Sequence, residues 1–140
     1  GFVGNEAVAE YRIRVGKRVK LAESLIGTGF PYRMFDHVDT YMAIFKELAR
    51  KTAGLRRPGA ASLDLAYVAS GRLAGFWEFG LSPWDMAAGA LLISEAGGLV
   101  SDLAGEGSYL ATGNLVAGSP KVFAQLLQIV QAHRTPSLAA

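Results

Sequence analysis

Hydrophobic and polar residues follow two different periods along this 140-residue chain. Residues 11–15 (YRIRV) alternate apolar and basic side chains, which predicts a half-buried strand whose charges face water. After Asp39 the apolar residues recur at i, i+3, i+4 and i+7, which predicts a helix that ends before Gly54. The predicted buried stripe of this helix is Tyr41, Ile44, Phe45, Leu48 and Ala49.

Strands and helices are predicted to alternate through the remainder of the chain. Short apolar runs bounded by turn residues predict strands within residues 24–32, 73–80, 98–103 and 114–119. Helices are predicted over residues 62–70, 83–96 and 119–133, with Ser62 and Ser119 as N-caps and Gly71 as a left-handed stop. Leu63, Ala66, Tyr67 and Ser70 continue the first of these helices. The predicted buried stripe of the last helix is Val122, Phe123, Leu126, Leu127 and Val130. This alternation predicts a layered α/β fold without an internal repeat or linker.

Composition narrows the class of protein. The 51% hydrophobic content supports a core, and a net charge of only +2 gives no reason to expect direct binding of nucleic acid. The absence of cysteine excludes disulfides, thiolate zinc sites and a cysteine nucleophile, and it fits a reducing compartment. No apolar run is long enough to span a membrane, so we expect a soluble, cytoplasmic protein. The basic residues Arg12, Arg14, Lys17, Arg18 and Lys20 form a phosphate-binding patch or, as we favour, a solvated strand face.

Two acids flank the turn before the helix that starts at Pro83. Glu78 ends a predicted strand, and Asp85 lies in the first helical turn. A lone aspartate at that place most often caps free backbone N–H groups. The edge where a strand passes into a helix is also where α/β sheets bind ligands, and two carboxylates there suit Mg²⁺ or a polyol hydroxyl rather than zinc. Trp84 is predicted to lie in the core, while Ala87, Ala88 and Gly89 would allow a neighbouring backbone to approach.

Several other polar residues receive structural predictions. His37 and His133 have no partner at metal-ligand spacing, so a surface or helix-end role is expected for each. Asp64 is predicted to lie on the first turn of its helix as a surface residue. Glu95 is structural, because about three helical turns separate it from Asp85. Residues 112–114 are predicted to form a turn.

Two assignments stay open from the sequence. Asp102 either turns the chain or has another role, and we assign it no chemistry. Arg56 and Arg57 precede a Gly- and Ala-rich loop, so they contact phosphate, contact another subunit, or remain in solvent.

Several motifs together resemble the inositol monophosphatase family, and its bacterial branch in particular. The string W-D-x-A-A-G at residues 84–89, followed by E-A-G-G at 95–98, resembles the second signature of that family. Residues 56–80 resemble the stretch before this signature, and the similarity continues through residues 111–120 to the last helix. The resemblance implies a layered α/β sandwich of the inositol monophosphatase and sugar phosphatase type.

The resemblance also implies roles for individual residues. Asp85 corresponds to a metal ligand, and Glu78 corresponds to a residue that contacts substrate hydroxyls. Gly59, Ala60 and Ala61 correspond to a loop that approaches the substrate. Ala60 differs from family members that carry a hydroxyl there, so a side-chain hydrogen bond to the substrate is not expected at that position.

The family's first signature, D-P-[IL]-D-G-[ST], does not occur in this sequence. The chain therefore resembles the C-terminal half, with residues 1–22 as the end of the preceding domain and residues 23–140 as the C-terminal α/β domain. The resemblance implies a Mg²⁺-dependent, lithium-sensitive, homodimeric phosphatase of myo-inositol 1-phosphate or a related sugar phosphate. No catalytic residue beyond the metal ligand is assigned, and the chain alone is expected to be inactive. The alternative is an interaction module that binds the bacterial transcription machinery.

Overall fold

The computed structural model describes residues 13–17, 19–29, 37–57 and 59–134, and five strands form one mixed sheet there. The strands are β1 (Leu25–Thr28), β2 (Gly54–Arg56), β3 (Gly75–Glu78), β4 (Leu99–Ser101) and β5 (Leu115–Gly118), in the order β2-β1-β3-β5-β4. Strand β1 pairs in parallel with β2 and β3, whereas β5 pairs antiparallel with β3 and with β4. The α/β prediction is confirmed.

Helices cover both faces of this sheet. They are α1 (Val38–Lys51), α2 (Ala61–Ala69), α3 (Pro83–Glu95), the single turn α4 (Tyr109–Thr112) and α5 (Pro120–His133). Successive side chains of β3 point to opposite faces of the sheet, so Trp77 joins the core under α1 and α5, and Phe76 joins the core under α2 and α3. The sheet is therefore buried between two helical layers.

The parallel strands bring three connections to one edge of the sheet. The carboxyl ends of β1, β2 and β3 point the same way, so Gly29, the chain after Arg56, and Glu78 lie along one edge. Because β5 runs antiparallel to β3, its first residue, Leu115, pairs with Glu78 at that same edge. This is the edge at which open α/β sheets bind ligands.

The helix predictions hold in extent, but several packing predictions are wrong. Helix α2 begins at Ala61 with Ala60 as N-cap, so Ser62 lies exposed inside the helix and does not cap it. Its buried face is Asp64, Leu65, Val68 and Ala69, and Leu63 is exposed. In α1, Ala49 is exposed, although the rest of the predicted stripe is buried or partly buried. Trp84 is not in the core, because 78% of its surface is exposed.

The predicted start of α5 and the predicted end of α2 agree with the structure. Pro120 follows the N-cap Ser119 in α5, where the backbone carbonyl of Ser119 accepts from the N–H of Phe123 at 2.7 Å. The hydroxyl of Ser119 makes no hydrogen bond to any residue in the described ranges, so Ser119 caps by position only. Gly71 adopts φ +82° just after α2, the left-handed conformation that the sequence predicted for a helix stop.

The strand predicted over residues 11–15 is not formed in the part that the structure describes. Residues 13–17 have no regular secondary structure, and residues 11 and 12 lie outside the described ranges. A single bond, from the N–H of Val15 to the carbonyl of Ala96 at 3.1 Å, attaches this segment to the end of α3. The glycine-proline turn after β1 also lies outside the described residues. No helix in the described ranges is both long and apolar enough to cross a membrane.

Candidate functional site

The β3–α3 connection carries the two acids that the sequence singled out, and the start of β5 holds it in place. The side-chain Oδ1 of Asn114 accepts from the N–H of Gly80 at 3.2 Å, and the carbonyl of Gly113 accepts from the N–H of Leu81 at 2.8 Å. Gly113 has φ +79°, and a Cβ there would lie 2.6 Å from the carbonyl oxygen of Leu81. Residues 112–114 therefore form the end of the single helical turn Tyr109–Thr112 and not, as predicted, a tight turn directly between two strands, and they fix the loop between Glu78 and Asp85.

Asp85 lies in the first turn of α3 and uses one carboxylate oxygen for local structure. Its Oδ2 accepts from the hydroxyl of Ser82 at 2.5 Å and from the N–H of Ser82 at 3.3 Å. Among the described residues its Oδ1 has no hydrogen-bond partner, and the residue is half-buried. The capping role that the sequence favoured is thus present, and it leaves one oxygen of the carboxylate available to a ligand.

Glu78 ends β3 with its carboxylate against the backbone of Gly29. A Cβ at Gly29 would overlap Oε1 of Glu78, so the carboxylate occupies space that only glycine leaves open. Burial raises the pKa of Glu78 to about 7, with further contributions from the negative charges of Asp64 and Asp85. Near neutral pH this carboxyl can therefore either accept or donate a hydrogen bond.

Asp64 is part of the same group of acids, which corrects the prediction that it is a surface residue. It is 1% exposed, and its Oδ1 is buried without a hydrogen-bond partner among the residues that the structure describes. Burial raises its pKa to about 6. One sequence signal could have indicated this position: Asp64 lies four residues before Val68 and next to Leu65, so all three share one helical face.

Gly59, Ala60 and Ala61 lie at the start of α2, after the carboxyl end of β2. Gly59 adopts φ +92°, Ala60 is extended at φ −136° and ψ 104°, and both are exposed. The first N–H of α2 that is bonded within the helix is that of Asp64, which donates to the carbonyl of Ala60 at 3.0 Å. The preceding N–H groups of this turn have no partner in the described part of the chain, so they are open to an anion or a hydroxyl there.

The oxygen donors of this site suit Mg²⁺ but are too few to hold it. Asp85 Oδ1 is an available hard ligand, whereas Mg²⁺ takes six ligands and usually keeps several waters. Within residues 13–17, 19–29, 37–57 and 59–134, no three His, Asp or Glu side chains are placed to bind one metal ion. Asp85 can therefore supply one ligand of a site whose remaining ligands come from elsewhere.

The two histidines and Asp102 contribute to the fold and lie outside the site. His133 ends α5 and contacts Glu47 Oε1 at 2.6 Å, as expected for a helix-end residue, and His37 is buried at the start of α1. Asp102 Oδ1 accepts from the N–H groups of Ala104 and Glu106, each at 2.9 Å, so its role is to turn the chain.

Glu95, Arg56 and Arg57 are all exposed. Glu95 ends α3, far from Asp85 along the helix, as predicted. Arg56 is the last residue of β2, an edge strand that the sequence did not predict, and it donates to the neighbouring carbonyl of Leu55 at 3.1 Å. Both arginines are therefore accessible beside the loop that leads to α2.

The sequence of this chain matches a known protein family and several of its curated members. The sequence profile of the inositol monophosphatase family matches residues 2–135. Nus factor SuhB of Pseudomonas aeruginosa is 57% identical over 129 residues, which cover 91% of this chain and 48% of that protein. Nus factor SuhB of Escherichia coli is 49% identical over 117 residues, which cover 84% of this chain and 44% of that protein.

Solved structures agree with the sequence matches. The extragenic suppressor protein suhB from Bartonella henselae superimposes with a TM-score of 0.83 at 39% identity, covering 87% of this chain and 47% of that one. The inositol monophosphatase from Anabaena sp. PCC 7120 gives a TM-score of 0.81 at 39% identity, covering 89% of this chain and 50% of that one. This chain spans about half the length of the relatives that it matches.

Proposed function

Because this chain belongs to the inositol monophosphatase family, we propose that the full-length protein hydrolyses a phosphate monoester of inositol, such as myo-inositol 1-phosphate, or of a related sugar or polyol. The observation that carries this proposal is the free Oδ1 of Asp85 at the edge where β3 passes into α3. The other oxygen is held by Ser82, so the free one has a fixed position. A fixed carboxylate oxygen at this edge fits a metal-dependent phosphatase.

Each residue of the site has a separate role in this proposal. Asp85 Oδ1 would bind Mg²⁺, and the bound ion would polarise the phosphate and lower the pKa of a water. Glu78 would bind a substrate hydroxyl, because its carboxyl can accept or donate near neutral pH. The loop at Gly59, Ala60 and Ala61 would approach the substrate through its backbone, since no hydroxyl stands at position 60.

The proposal assigns the rest of the machinery to the half of the relatives that this chain does not span. Residues 1–22 would then end a preceding domain, and residues 23–140 would form the C-terminal domain. The chain alone would lack most metal ligands and would not turn over substrate. Mg²⁺ dependence, lithium sensitivity, a homodimer and a cytoplasmic location are parts of the same proposal, and they rest on family membership.

Substitution of Asp85 by Asn tests the metal assignment in the full-length protein. Asn keeps an oxygen for the cap at Ser82 but removes the charge that binds Mg²⁺, so kcat should fall by about 100-fold or more while the melting temperature changes little. Phosphate release from myo-inositol 1-phosphate measures this. The matched control is Ser82→Ala, which removes the hydroxyl bond to Oδ2 but keeps the backbone N–H bond and the charge of Asp85, so kcat should fall far less than in Asp85→Asn. Unchanged turnover in Asp85→Asn would refute the assignment.

Substitution of Glu78 by Gln tests the substrate assignment separately. The amide is neutral at every pH and has a fixed donor and acceptor, so KM should rise and the preference among polyol phosphates should change. Steady-state kinetics on two substrates that differ in one hydroxyl would measure this. An unaltered substrate profile would show that Glu78 does not read the hydroxyl groups.

A second candidate function follows from the names of the relatives. The proteins from Pseudomonas aeruginosa and Escherichia coli are Nus factors, which indicates a role with transcription complexes for those proteins. Arg56 and Arg57 are exposed beside an edge strand of this chain, which suits contact with a second protein. We propose that this pair contributes to such a contact.

A pull-down of RNA polymerase distinguishes the two functions. The variant with Arg56→Glu and Arg57→Glu should lose the polymerase, whereas Asp85→Asn should retain it and lose only phosphatase activity. Retention of polymerase by the arginine variant, or failure of the wild-type protein to recover any, would count against the second function and leave the first one unaffected.

A further inference from the structure

A groove of about 750 Å³ lies on the side of the sheet that α1 and α5 cover, opposite the layer that contains Asp85. Its walls are the segment 19–22, the last turn of α1 and the middle of α5. We call it the basic groove. It has no part in the phosphatase site.

The charges that line the basic groove are all positive. Lys20, Arg50 and Lys51 line it, and none of the acidic side chains that the structure describes does. Lys51 is paired with Glu47 at 2.7 Å, but Lys20 and Arg50 have no ion pair or side-chain hydrogen bond to any described residue. The negative end of the α1 dipole accounts for two cations in its last turn, but it does not account for Lys20, which lies on another segment.

The floor and one wall of the basic groove are aliphatic. Leu21 and Ile129 form the floor, and Val19 stands on the wall with 56% of its surface exposed. None of the aromatic residues within the described ranges lines it. An apolar floor under cationic edges is suited to a segment that carries both apolar and acidic side chains.

Two hydrogen bonds within the chain hold one wall of the basic groove. Gln125 on α5 donates through Nε2 to the carbonyl of Val19 at 2.7 Å, and its Oε1 accepts from the N–H of Leu21 at 3.4 Å. The side chain of Gln128, one turn further along α5, lines the groove without a hydrogen bond to any described residue. A bound chain therefore meets a preformed wall and a free amide, which reduces the entropy lost on binding.

We propose that the basic groove binds an acidic, amphipathic peptide segment of a partner protein. An apolar side chain of the segment rests on Leu21, Ile129 and Val19, and its carboxylates face Lys20 and Arg50. Single-stranded nucleic acid fits less well, because its bases stack on aromatic rings and its backbone needs a longer track of cations than this groove provides.

Fluorescence anisotropy with a synthetic peptide tests this inference in the full-length protein. The probe is a labelled helical peptide with leucine on one face and glutamate on the other. Lys20→Glu with Arg50→Glu should weaken its binding by about tenfold or more, and Val19→Ser should weaken it less. The control is Lys17→Glu with Lys46→Glu, which changes the net charge equally at exposed positions outside the groove and should leave the affinity unchanged.

Three results would overturn the inference. The first is that the control variant weakens peptide binding as much as the groove variant does. The second is that a peptide with lysine in place of glutamate binds with equal affinity. The third is that a short oligothymidine displaces the probe at a lower concentration than the unlabelled peptide does. The last result would assign the groove to nucleic acid. Asp85→Asn should not alter peptide affinity, so failure of this inference and failure of the phosphatase proposal remain distinguishable.

Discussion

Asp64 and Glu78 are carboxyl groups that the fold buries without a cation beside either one in the described part of the chain. Burial raises the pKa of Asp64 from 3.8 to about 6 and that of Glu78 from 4.5 to about 7. Each group therefore holds its proton more tightly in the folded state than in the unfolded state. The free energy of unfolding should fall as the pH rises from about 4 to about 7, because the folded protein must release protons that it binds better.

In the Asp64→Asn variant, the free energy of unfolding should change much less with pH between about pH 4 and pH 6 than it does in the wild type. We expect the variant to be more stable than the wild type by about 1 kcal/mol above pH 7, after allowance for relaxation around the charge, and equally stable near pH 4. Urea unfolding with EDTA at several pH values measures this. Asp39→Asn, at an exposed position in the first turn of α1, is the control. A pH profile that stays parallel to the wild type would contradict the prediction.

At the scale of single residues, the sequence predicted where a residue lies within a helix better than it predicted whether its side chain is buried. Pro83 and the glycine pair after Glu95 locate α3, and this places Asp85 in its first turn. Whether a side chain is buried depends on the neighbouring helix, which no local pattern contains. Asp64 and Trp84 were therefore both assigned to the wrong environment, one too exposed and the other too buried.

At the scale of elements, α2 and α3 pack closely because Gly89 has no side chain. A Cβ at Gly89 would lie 2.5 Å from the Cβ of Leu65, an atom attached directly to the backbone of α2. The two helices would have to move apart to accept it. Their first turns carry Gly59 to Ala61 and Asp85, so this contact also sets the spacing of the two sides of the site.

Gly89→Ala should lower the free energy of unfolding by about 1 to 3 kcal/mol, although alanine is the better helix former by about 1 kcal/mol. Combination with Leu65→Ala should be less than additive, because the second change removes part of the overlap. Gly107→Ala is the control, since nothing lies within 4 Å of a Cβ there. A stabilised Gly89→Ala variant would show that the helices adjust without strain.

The elements that the sequence missed are those that depend on distant partners. Strand β2 has only three residues and exists through its pairing with β1, which lies on the other side of α1 in the sequence. Helix α4 is a single turn without a buried residue, so it leaves no apolar period. The long helices were predictable, because prolines, glycines and repeated apolar residues define them locally.

At the scale of the whole molecule, α3 presents an apolar stripe to solvent. Trp84, Ala87, Ala88 and Leu91 occupy one face of the helix, with Trp84 78% and Leu91 60% exposed. Relatives are about twice as long as this chain. An exposed stripe of this kind promotes association with another polypeptide surface.

Leu91→Glu should therefore reduce self-association of the isolated chain and increase its solubility. Sedimentation velocity at several concentrations measures this, and Leu110→Glu on α4, at a position that is 43% exposed outside the stripe, serves as the control. If both variants change the association equally, added charge rather than loss of the stripe is the cause.

The order of the strands has a consequence for synthesis on the ribosome. Strand β5 lies between β3 and β4 in the sheet, yet it is translated after both. Until residues 115–118 leave the exit tunnel, β4 has no neighbour in the described sheet, and β3 has one open edge. A nascent chain stalled before this point should stay sensitive to proteases and bound by chaperones, and release from both should come abruptly once the central strand inserts.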